Sequence, residues 1–99
     1  MIIRIVRLTL QPDAVAAFDA LFAATSPTIR AFPGCRHLEL LADTSAPAIR
    51  TTYSLWADEA SLEAYRSSDY FRSVWRQTKP LFAEPAVAHS YRSLCVVDA

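Results

Sequence analysis

The first ten residues carry the hydrophobic pattern of a β-strand. Ile2–Leu10 is rich in β-branched residues, and large apolar side chains occur at both odd and even positions. Because side chains alternate between the two faces of a strand, we expect both faces of this one to be covered. Similar patterns predict further strands over 35–41, 49–56 and 86–97, the middle two joined as a hairpin.

Two segments between these strands carry apolar residues at helical spacing. The first begins at Gln11-Pro12-Asp13, with proline at the first helical position and an acid in the first turn. Its apolar stripe contains Val15, Phe18, Leu21, Phe22, Thr25 and Ile29. Pro27 lies inside the pattern and is expected to kink this helix or end it early. In the second segment, Asp58 and then Ser67 or Ser68 are expected to cap two consecutive helices.

The only glycine of the chain, Gly34, lies between the first helical stripe and the second strand. In Phe32-Pro33-Gly34-Cys35 the proline fixes φ and the glycine supplies a positive φ, which predicts a reversal of the chain. The resulting order, β-α-β-β-α-β, is the ferredoxin-like α+β arrangement. Right-handed crossovers then put the helices on one face of a four-stranded antiparallel sheet. We expect residues 1–99 to form a single domain of this kind.

One face of the predicted sheet has no cover within the chain. Ile3 and Ile5 would lie on it, and leaving each in water costs about 1.5–3 kcal/mol. Hydrophobic residues make up 53% of the chain, which is high for a small monomeric protein. We therefore expect a homodimer in which two copies pack sheet to sheet.

Charge and composition argue against several classes of function. The formal net charge is zero and the basic residues are scattered singly, so no nucleic-acid partner is expected. No apolar stretch approaches membrane-spanning length, and the first residues lack a signal peptide's apolar region and cleavage site. We expect a cytoplasmic protein with no membrane partner. Cys35 and Cys95 are expected to be free thiols, and His37 and His89 have no companion ligands for a metal site.

Five short motifs resemble a known family in their order and spacing. They are Phe32-Pro33-Gly34-Cys35, Leu38-Glu39-Leu40, Tyr53-Ser54-Leu55-Trp56, Leu62-Glu63-Ala64-Tyr65 and Ser68-Asp69-Tyr70-Phe71. Together they resemble the antibiotic biosynthesis monooxygenase (ABM) family, a group of dimeric α/β-barrel proteins. That family contains cofactor-independent quinol and anthrone oxygenases, haem-degrading enzymes and members of unknown activity. The resemblance implies an active site in a cavity between the sheet and the helices of each subunit.

Departures from the family pattern narrow the expected chemistry. Haem-degrading members use an asparagine, a tryptophan and a histidine at positions that correspond, aligned by eye, to Val6, Tyr65 and Trp75. Because no histidine stands at Trp75, haem degradation is not expected. Quinol oxygenases of the family often carry histidines along the same helices, where this chain has Tyr65 and Tyr70. The oxygenase function is therefore implied by the family resemblance and not by matching catalytic residues.

The expected activity is oxidation of a small aromatic quinol or phenol by dioxygen. Once deprotonated, such a ring can reduce dioxygen without flavin or metal, so the protein has to bind it, remove a proton and stabilise anionic charge. No glycine-rich phosphate loop for flavin or nicotinamide is present, because the only glycine belongs to the predicted turn. We therefore expect no cofactor. The alternative is a non-catalytic ligand-binding or stress-related dimer with the same barrel.

Seven side chains are candidates for this site. His37 is a candidate base because an imidazole titrates near neutral pH, although it shares a strand face with Glu39, which also fits the dimer interface or a sheet edge. Tyr65 is a candidate hydrogen-bond donor. Arg4 is expected to meet a phenolate or peroxide, or else an acidic side chain or solvent. The expected substrate-binding wall consists of Trp56, Trp75, Phe22 and Phe71, each of which has a place in the core as its alternative.

Overall fold

The strands and helices follow the ferredoxin-like order in residues 1–98, the part of the chain that the computed structural model describes. The strands are β1 (Ile2–Thr9), β2 (Cys35–Ala42), β3 (Ile49–Trp56) and β4 (Val87–Arg92), and the helices are α1 (Val15–Arg30), α2 (Glu59–Arg66) and α3 (Asp69–Thr78). Short 3-10 turns, Pro12–Ala14 and Lys79–Leu81, precede α1 and follow α3. The sheet order is β2-β3-β1-β4 and every neighbouring pair is antiparallel, which confirms the predicted α+β ferredoxin-like fold.

Side-chain caps fix where α2 and α3 begin. The backbone N–H of Ser61 donates to Asp58 Oδ1 at 2.8 Å, and that of Phe71 donates to Ser68 Oγ at 3.1 Å. Each bond satisfies a donor that has no partner within its own helix. Of the two serines predicted as the second cap, Ser68 is the one that performs it.

Pro27 does not end the first helix early, which was one of the two outcomes predicted from sequence. α1 continues through Pro27 to Arg30, and Pro27 lies in its final turn. A proline there removes one backbone hydrogen bond, but Pro27 still accepts from the N–H of Ala31 at 3.2 Å. Ile29 is buried beside it and holds the last turn against the core. Packing of this turn therefore outweighs the missing bond.

The fourth strand is shorter than the predicted span of 86–97, since β4 ends at Arg92. Arg92 pairs with Ile2, which is the first residue of β1, and β1 is the only neighbour of β4 in the sheet. Residues beyond Arg92 therefore have no strand to pair with. Leu94 and Val97 in this segment are almost fully exposed despite their strand-forming side chains.

The two faces of the sheet have different surroundings. Alternate residues of β1, among them Arg4, Val6 and Leu8, face the helices together with residues of β3. The opposite face, called the outer face below, contains Ile3, Ile5, Tyr53, Leu55, His89 and Tyr91. No helix within residues 1–98 packs on it, and half of the Tyr91 side chain is exposed. The homodimer predicted from this face stays a prediction.

Buried apolar residues form two clusters between the sheet and the helices. One contains Ile2, Cys35, Trp56 and Leu62, and the other contains Leu8, Leu10 and Phe18. An ion pair on the same side fastens α1 to β3, because the Arg50 guanidinium donates to both oxygens of Asp19 at 3.0 and 3.1 Å. This bidentate geometry raises the pKa of Arg50 and holds the helix over the sheet.

Gly34 has the conformation that the sequence predicts. Its φ is +85°, and no other residue in 1–98 has a positive φ. The Gly34 carbonyl accepts from the N–H of Ala57 at 2.8 Å, which ties the turn to the start of the segment leading into α2. A Cβ at this position would overlap the side chain of Ser61. The turn therefore needs glycine both for its backbone angle and for its close approach to α2.

Two further predictions concern cysteines and membranes. Cys35 is a buried free thiol and Cys95 is an exposed one, as expected. None of the helices in residues 1–98 combines the length and hydrophobicity needed to cross a bilayer. The cytoplasmic location stays a prediction.

Two aspartates that accept backbone hydrogen bonds are expected to make stability depend on pH at the acid end. Asp43 Oδ2 accepts from the N–H groups of Ser45 and Ala46 at 3.0 and 2.8 Å, which lowers the pKa of Asp43 below its ordinary 3.8. The bond from the backbone of Ser61 lowers the pKa of Asp58 in the same way. Because the folded-state pKa is the lower one, each carboxylate stabilises the fold above about pH 4 and loses that contribution as the pH falls through its folded-state pKa.

The double variant Asp43→Asn/Asp58→Asn should show a flatter acid-side dependence, since an amide oxygen still accepts the hydrogen bond but does not titrate. Urea unfolding at about pH 6 and about pH 2.5 compares this variant with the unmodified protein. Glu84→Gln removes an exposed carboxylate from the loop before β4 and is the matched control. An equal acid-induced fall of the urea midpoint in all three proteins would contradict the prediction.

Candidate functional site

A cavity of about 360 Å³ lies between the inner face of the sheet and the three helices. Its volume falls within the range of about 300–1,000 Å³ that is usual for small-molecule sites. The lining side chains come from β1 (Arg4, Val6, Leu8), β2 (Leu38), β3 (Thr52, Ser54, Trp56), α1 (Phe18, Leu21, Phe22, Thr25, Ile29), α2 (Leu62, Tyr65, Arg66), α3 (Phe71, Val74, Trp75, Thr78) and β4 with the loop before it (Ala86, Ala88). Most of them are apolar, so the cavity suits a largely hydrophobic ligand.

Four aromatic rings form one continuous wall of the cavity. Trp56 and Tyr65 stack with ring centroids 5.1 Å apart, and Tyr65 meets Phe71 edge to face at 5.2 Å. Phe71 in turn stacks on Trp75 at 5.8 Å with an angle of 12° between the rings. All four residues line the cavity, so a planar aromatic ligand can pack against aromatic carbon atoms on this side. We call these four rings the aromatic wall.

Tyr65 lines the cavity and is the member of the aromatic wall that carries a hydroxyl group. The ring packs against Phe32 and Trp56 in the core. The hydroxyl makes no hydrogen bond to any residue in 1–98, and it is not fully buried. Burial raises the pKa of Tyr65 well above its ordinary 10, and Cys35 and Tyr70 act in the same direction. The hydroxyl therefore stays protonated near neutral pH. It can donate a hydrogen bond to a ligand and is unsuited to act as a base.

Arg4 brings a positive charge to the same cavity from the middle of the sheet. Its Nη1 donates to Ser90 Oγ at 3.0 Å, and no carboxylate within residues 1–98 forms an ion pair with it. Burial lowers the pKa of Arg4, the charge of Arg66 lowers it further, and that of Glu63 opposes them. A guanidinium nevertheless remains charged at neutral pH. Arg4 thus presents a cation that protein groups compensate only in part.

Other polar groups along the cavity are already engaged within the protein. Trp56 Nε1 donates to Ser54 Oγ at 3.1 Å, and Thr78 Oγ1 donates to the Val74 carbonyl at 2.7 Å. Trp56 itself is only 1% exposed, so this member of the aromatic wall offers a ligand little surface. Thr25 Oγ1 donates to the carbonyl of Leu21 at 2.8 Å.

His37 lies outside the cavity, on the outer face of the sheet. Its Nε2 is 2.9 Å from Glu39 Oε1, and its ring meets Tyr53 edge to face at 5.8 Å. His89 also lies on the outer face, where it pairs with Ile5 and its ring is 6.2 Å from that of Tyr91. The structure therefore does not bring His37 together with Tyr65 and Arg4. His37 lies on the sheet face that it shares with Glu39, away from the cavity, which was the alternative location predicted from sequence.

The other six candidates, Arg4, Phe22, Trp56, Tyr65, Phe71 and Trp75, all line the cavity. Their roles in binding or catalysis stay predictions. Sequence reasoning missed Arg66, although it stands four residues after Leu62 on the helix face that also carries Tyr65. It also missed the bond from Trp56 to Ser54. Strand alternation puts these two side chains on one face and could have indicated it.

The described residues do not fit a metal or haem site. No three histidines, cysteines or acidic residues in 1–98 lie close enough together to hold a metal ion. Both histidines lie on the outer face, so neither can ligate an iron in the cavity. The positions compared with haem-degrading enzymes, Val6, Tyr65 and Trp75, do line the cavity but include no histidine that could serve as the axial ligand.

Comparison with known proteins agrees with this architecture. The sequence profile of the antibiotic biosynthesis monooxygenase family matches residues 1–77. A protein from Bordetella bronchiseptica, described as a candidate antibiotic biosynthesis monooxygenase, is 25% identical and has a TM-score of 0.85 over 95% of this chain and 97% of that chain. Rv0793 from Mycobacterium tuberculosis is 23% identical, with a TM-score of 0.88 over 98% of each chain.

A second candidate monooxygenase of this kind, from Deinococcus radiodurans, is 15% identical and has a TM-score of 0.90 over 100% of this chain and 98% of that chain. Likenesses at such low identity show the shared fold. Among curated proteins, none matches the chain.

Proposed function

The chain belongs to the antibiotic biosynthesis monooxygenase family, and we propose that it is a monooxygenase that oxidises a small aromatic phenol or quinol with dioxygen. The observation that carries this proposal is the cavity, which is lined both by the aromatic wall, including Tyr65, and by Arg4. An aromatic wall binds a planar ring, a protonated hydroxyl donates to its oxygen, and a cation favours its anionic form.

In the proposed reaction the substrate itself supplies the electrons, so no cofactor is required. A phenol loses its hydroxyl proton, and the electron-rich phenolate transfers an electron to dioxygen. The two radicals combine through a new C–O bond at a ring carbon that carries hydrogen, and protonation gives a hydroperoxide. That ring carbon then loses its hydrogen and the O–O bond breaks, so that water leaves and a carbonyl remains. One oxygen atom of dioxygen enters the product and the other becomes water.

Tyr65 and Arg4 have distinct roles in this scheme. Tyr65 donates its hydroxyl hydrogen to the phenolate oxygen, and its raised pKa keeps that hydrogen in place. Arg4 adds positive potential in a cavity with few polar groups, where charge interacts more strongly than in water. Since no histidine, aspartate or glutamate is among the lining residues of the described chain, the substrate proton passes to solvent and not to a side chain.

Oxygen uptake by metal-free protein tests the proposal. The protein is incubated with a panel of hydroquinones and anthrones, and the rate is compared with autoxidation of each substrate alone. We expect one or more substrates to be oxidised well above that background. Failure to exceed the background with every substrate would contradict the assignment as a monooxygenase.

Tyr65→Phe is expected to lower kcat about 100-fold, because it removes one donor to the developing anion while leaving the ring in place. Tyr70→Phe is the matched control, since the Tyr70 hydroxyl donates to the Thr25 carbonyl at 3.2 Å and does not line the cavity. Circular dichroism checks that both variants fold. Equal rates for Tyr65→Phe and the unmodified protein would rule out the role assigned to Tyr65.

A specific observation favours a second function, that of a non-catalytic ligand-binding protein. The lining residues include no titratable base, so the cavity is equipped to bind an aromatic anion without acting on it. The two functions differ in one measurement. A non-catalytic protein would bind the panel compounds under nitrogen with the same affinity as under air and would consume no oxygen.

We also propose that the protein is a homodimer formed through the outer face. The support is the row of half-buried apolar residues there, Ile3, Ile5 and Leu55, which no helix in the described chain covers. Packing against the same face of a second copy removes them from water. An isologous contact of this kind closes on itself and gives a defined dimer.

A further inference from the structure

The charged residues that line the cavity are all of one sign. Among the lining residues in the described chain, only Arg4 and Arg66 carry a charge, and both are arginines. No carboxylate lines the cavity beside them. Like charges that share an apolar site repel each other, and the charge of Arg66 accordingly lowers the pKa of Arg4.

Acidic neighbours compensate these two guanidiniums only in part. Arg66 Nη1 is 3.2 Å from Glu63 Oε2, but both side chains are partly exposed to solvent and the bond leaves other N–H groups of Arg66 unused. Arg4 has the Ser90 hydroxyl as its partner and forms no ion pair within residues 1–98. A guanidinium has five N–H donors, so both arginines can accept further anionic partners.

The two arginines reach the cavity from different elements, Arg4 from β1 and Arg66 from α2. Arg66 is exposed to solvent, so the cavity meets the surface beside it, whereas Arg4 comes from the inner face of the sheet. Phe71 and Trp75 line the same cavity as these two cations, so one ligand can contact the arginines with an anionic group and the rings with an aromatic group.

We propose that the ligand is an aromatic acid, whose carboxylate binds between Arg4 and Arg66 while its ring packs on the aromatic wall. A carboxylate suits this place because its two oxygens accept hydrogen bonds from guanidinium groups in a fixed planar geometry. A hydroxyl ortho to the carboxylate then brings its oxygen near Arg4 as well. The inference rests on the proposed function in taking this cavity as the substrate site, and it narrows the substrate class to hydroxyarene carboxylates.

Equilibrium binding under nitrogen tests this without any turnover. The probes are 3-hydroxy-2-naphthoate and 3-hydroxy-2-naphthamide, which share ring system and hydroxyl and differ in the charge of one group. Isothermal titration calorimetry measures Kd for both with the unmodified protein, Arg4→Gln and Arg66→Gln. Arg72→Gln is the matched control, because Arg72 makes the same i,i+3 ion pair with Asp69 as Arg66 makes with Glu63 and does not line the cavity.

The unmodified protein and Arg72→Gln should bind the carboxylate about tenfold more tightly than the amide, or more. In Arg66→Gln and Arg4→Gln that ratio should fall towards one, with the affinity for the amide little changed. If circular dichroism shows that Arg4→Gln does not fold, the affinity ratio of Arg66→Gln alone tests the inference. Arg66 is exposed, so its substitution should leave the fold intact.

Three results would overturn the inference: equal affinity for both probes in the unmodified protein, a preference for the carboxylate that survives both substitutions, or no saturable binding of the carboxylate at millimolar concentration. Oxygen uptake is scored separately from binding. A preference for the carboxylate that depends on Arg66, in a protein that oxidises no substrate, would retain the inferred ligand class and contradict the monooxygenase function.

Discussion

Ile5→Lys is expected to convert the protein from a dimer into a monomer. Ile5 lies at the centre of the outer face, paired with Tyr53 on one side and His89 on the other. In the proposed dimer this position is buried against a second copy, and an ammonium group there would be buried without an anionic partner. We expect the dimer dissociation constant to rise about 100-fold or more. Light scattering at micromolar concentration should then give the mass of one 11.0 kDa chain.

A lysine in an exposed place controls for the added charge. Ala23→Lys puts the same side chain on the solvent side of α1, away from the sheet, and should leave the dimer intact. The monomeric variant should also unfold at lower urea concentration, because its outer face is exposed to water. If the unmodified protein already scatters as a single chain across the concentration range, the proposed dimer is wrong.

Gly34→Ala is expected to lower the free energy of unfolding by about 2–4 kcal/mol. One part of this cost is the φ of +85°, which an alanine adopts only with strain. The other is overlap of the new methyl group with Ser61, whose backbone N–H bonds to the Asp58 cap and cannot move without weakening it. Urea denaturation, followed by circular dichroism, measures the change.

A second variant separates the two contributions to this loss. In Gly34→Ala/Ser61→Gly the overlapping side chain is absent, so only the backbone strain and the cost of a helical glycine remain. Ser61→Gly alone supplies the reference for that glycine. If Gly34→Ala is as stable as the unmodified protein, neither the backbone angle nor the contact limits this turn.

The fold could be predicted because its determinants are local in the sequence. A run rich in β-branched residues defines β1, Asp58 and Ser68 cap α2 and α3, and Gly34 marks the reversal between α1 and β2. The predictions were wrong about the ends of two elements, because those ends depend on contacts with residues distant in the sequence. Burial of Ile29 stabilises the turn of α1 that follows Pro27, and β4 ends at the residue that pairs with the first residue of β1.

The candidate site could be predicted only in part, because periodicity assigns a residue to a face but not to a cavity. Helical spacing put Tyr65 on the face towards the sheet, and the cavity is there. Strand alternation left two locations open for His37, and only the three-dimensional sheet distinguishes them. Arg66 was overlooked since an arginine near a helix end is ordinarily a solvent-exposed residue. Its place beside the cavity depends on how α2 packs over β1 and β3.

The two sides of the aromatic wall differ in how freely evolution can alter them. Trp56 and Tyr65 at one end also pack in the buried cluster with Cys35, so a smaller ring there would weaken folding together with recognition. Phe71 and Trp75 at the other end belong to α3 and to neither buried cluster. Substitutions at Phe71 and Trp75 in α3 should therefore change the size of the ligand that fits while lowering the free energy of unfolding less than substitutions at Trp56 or Tyr65.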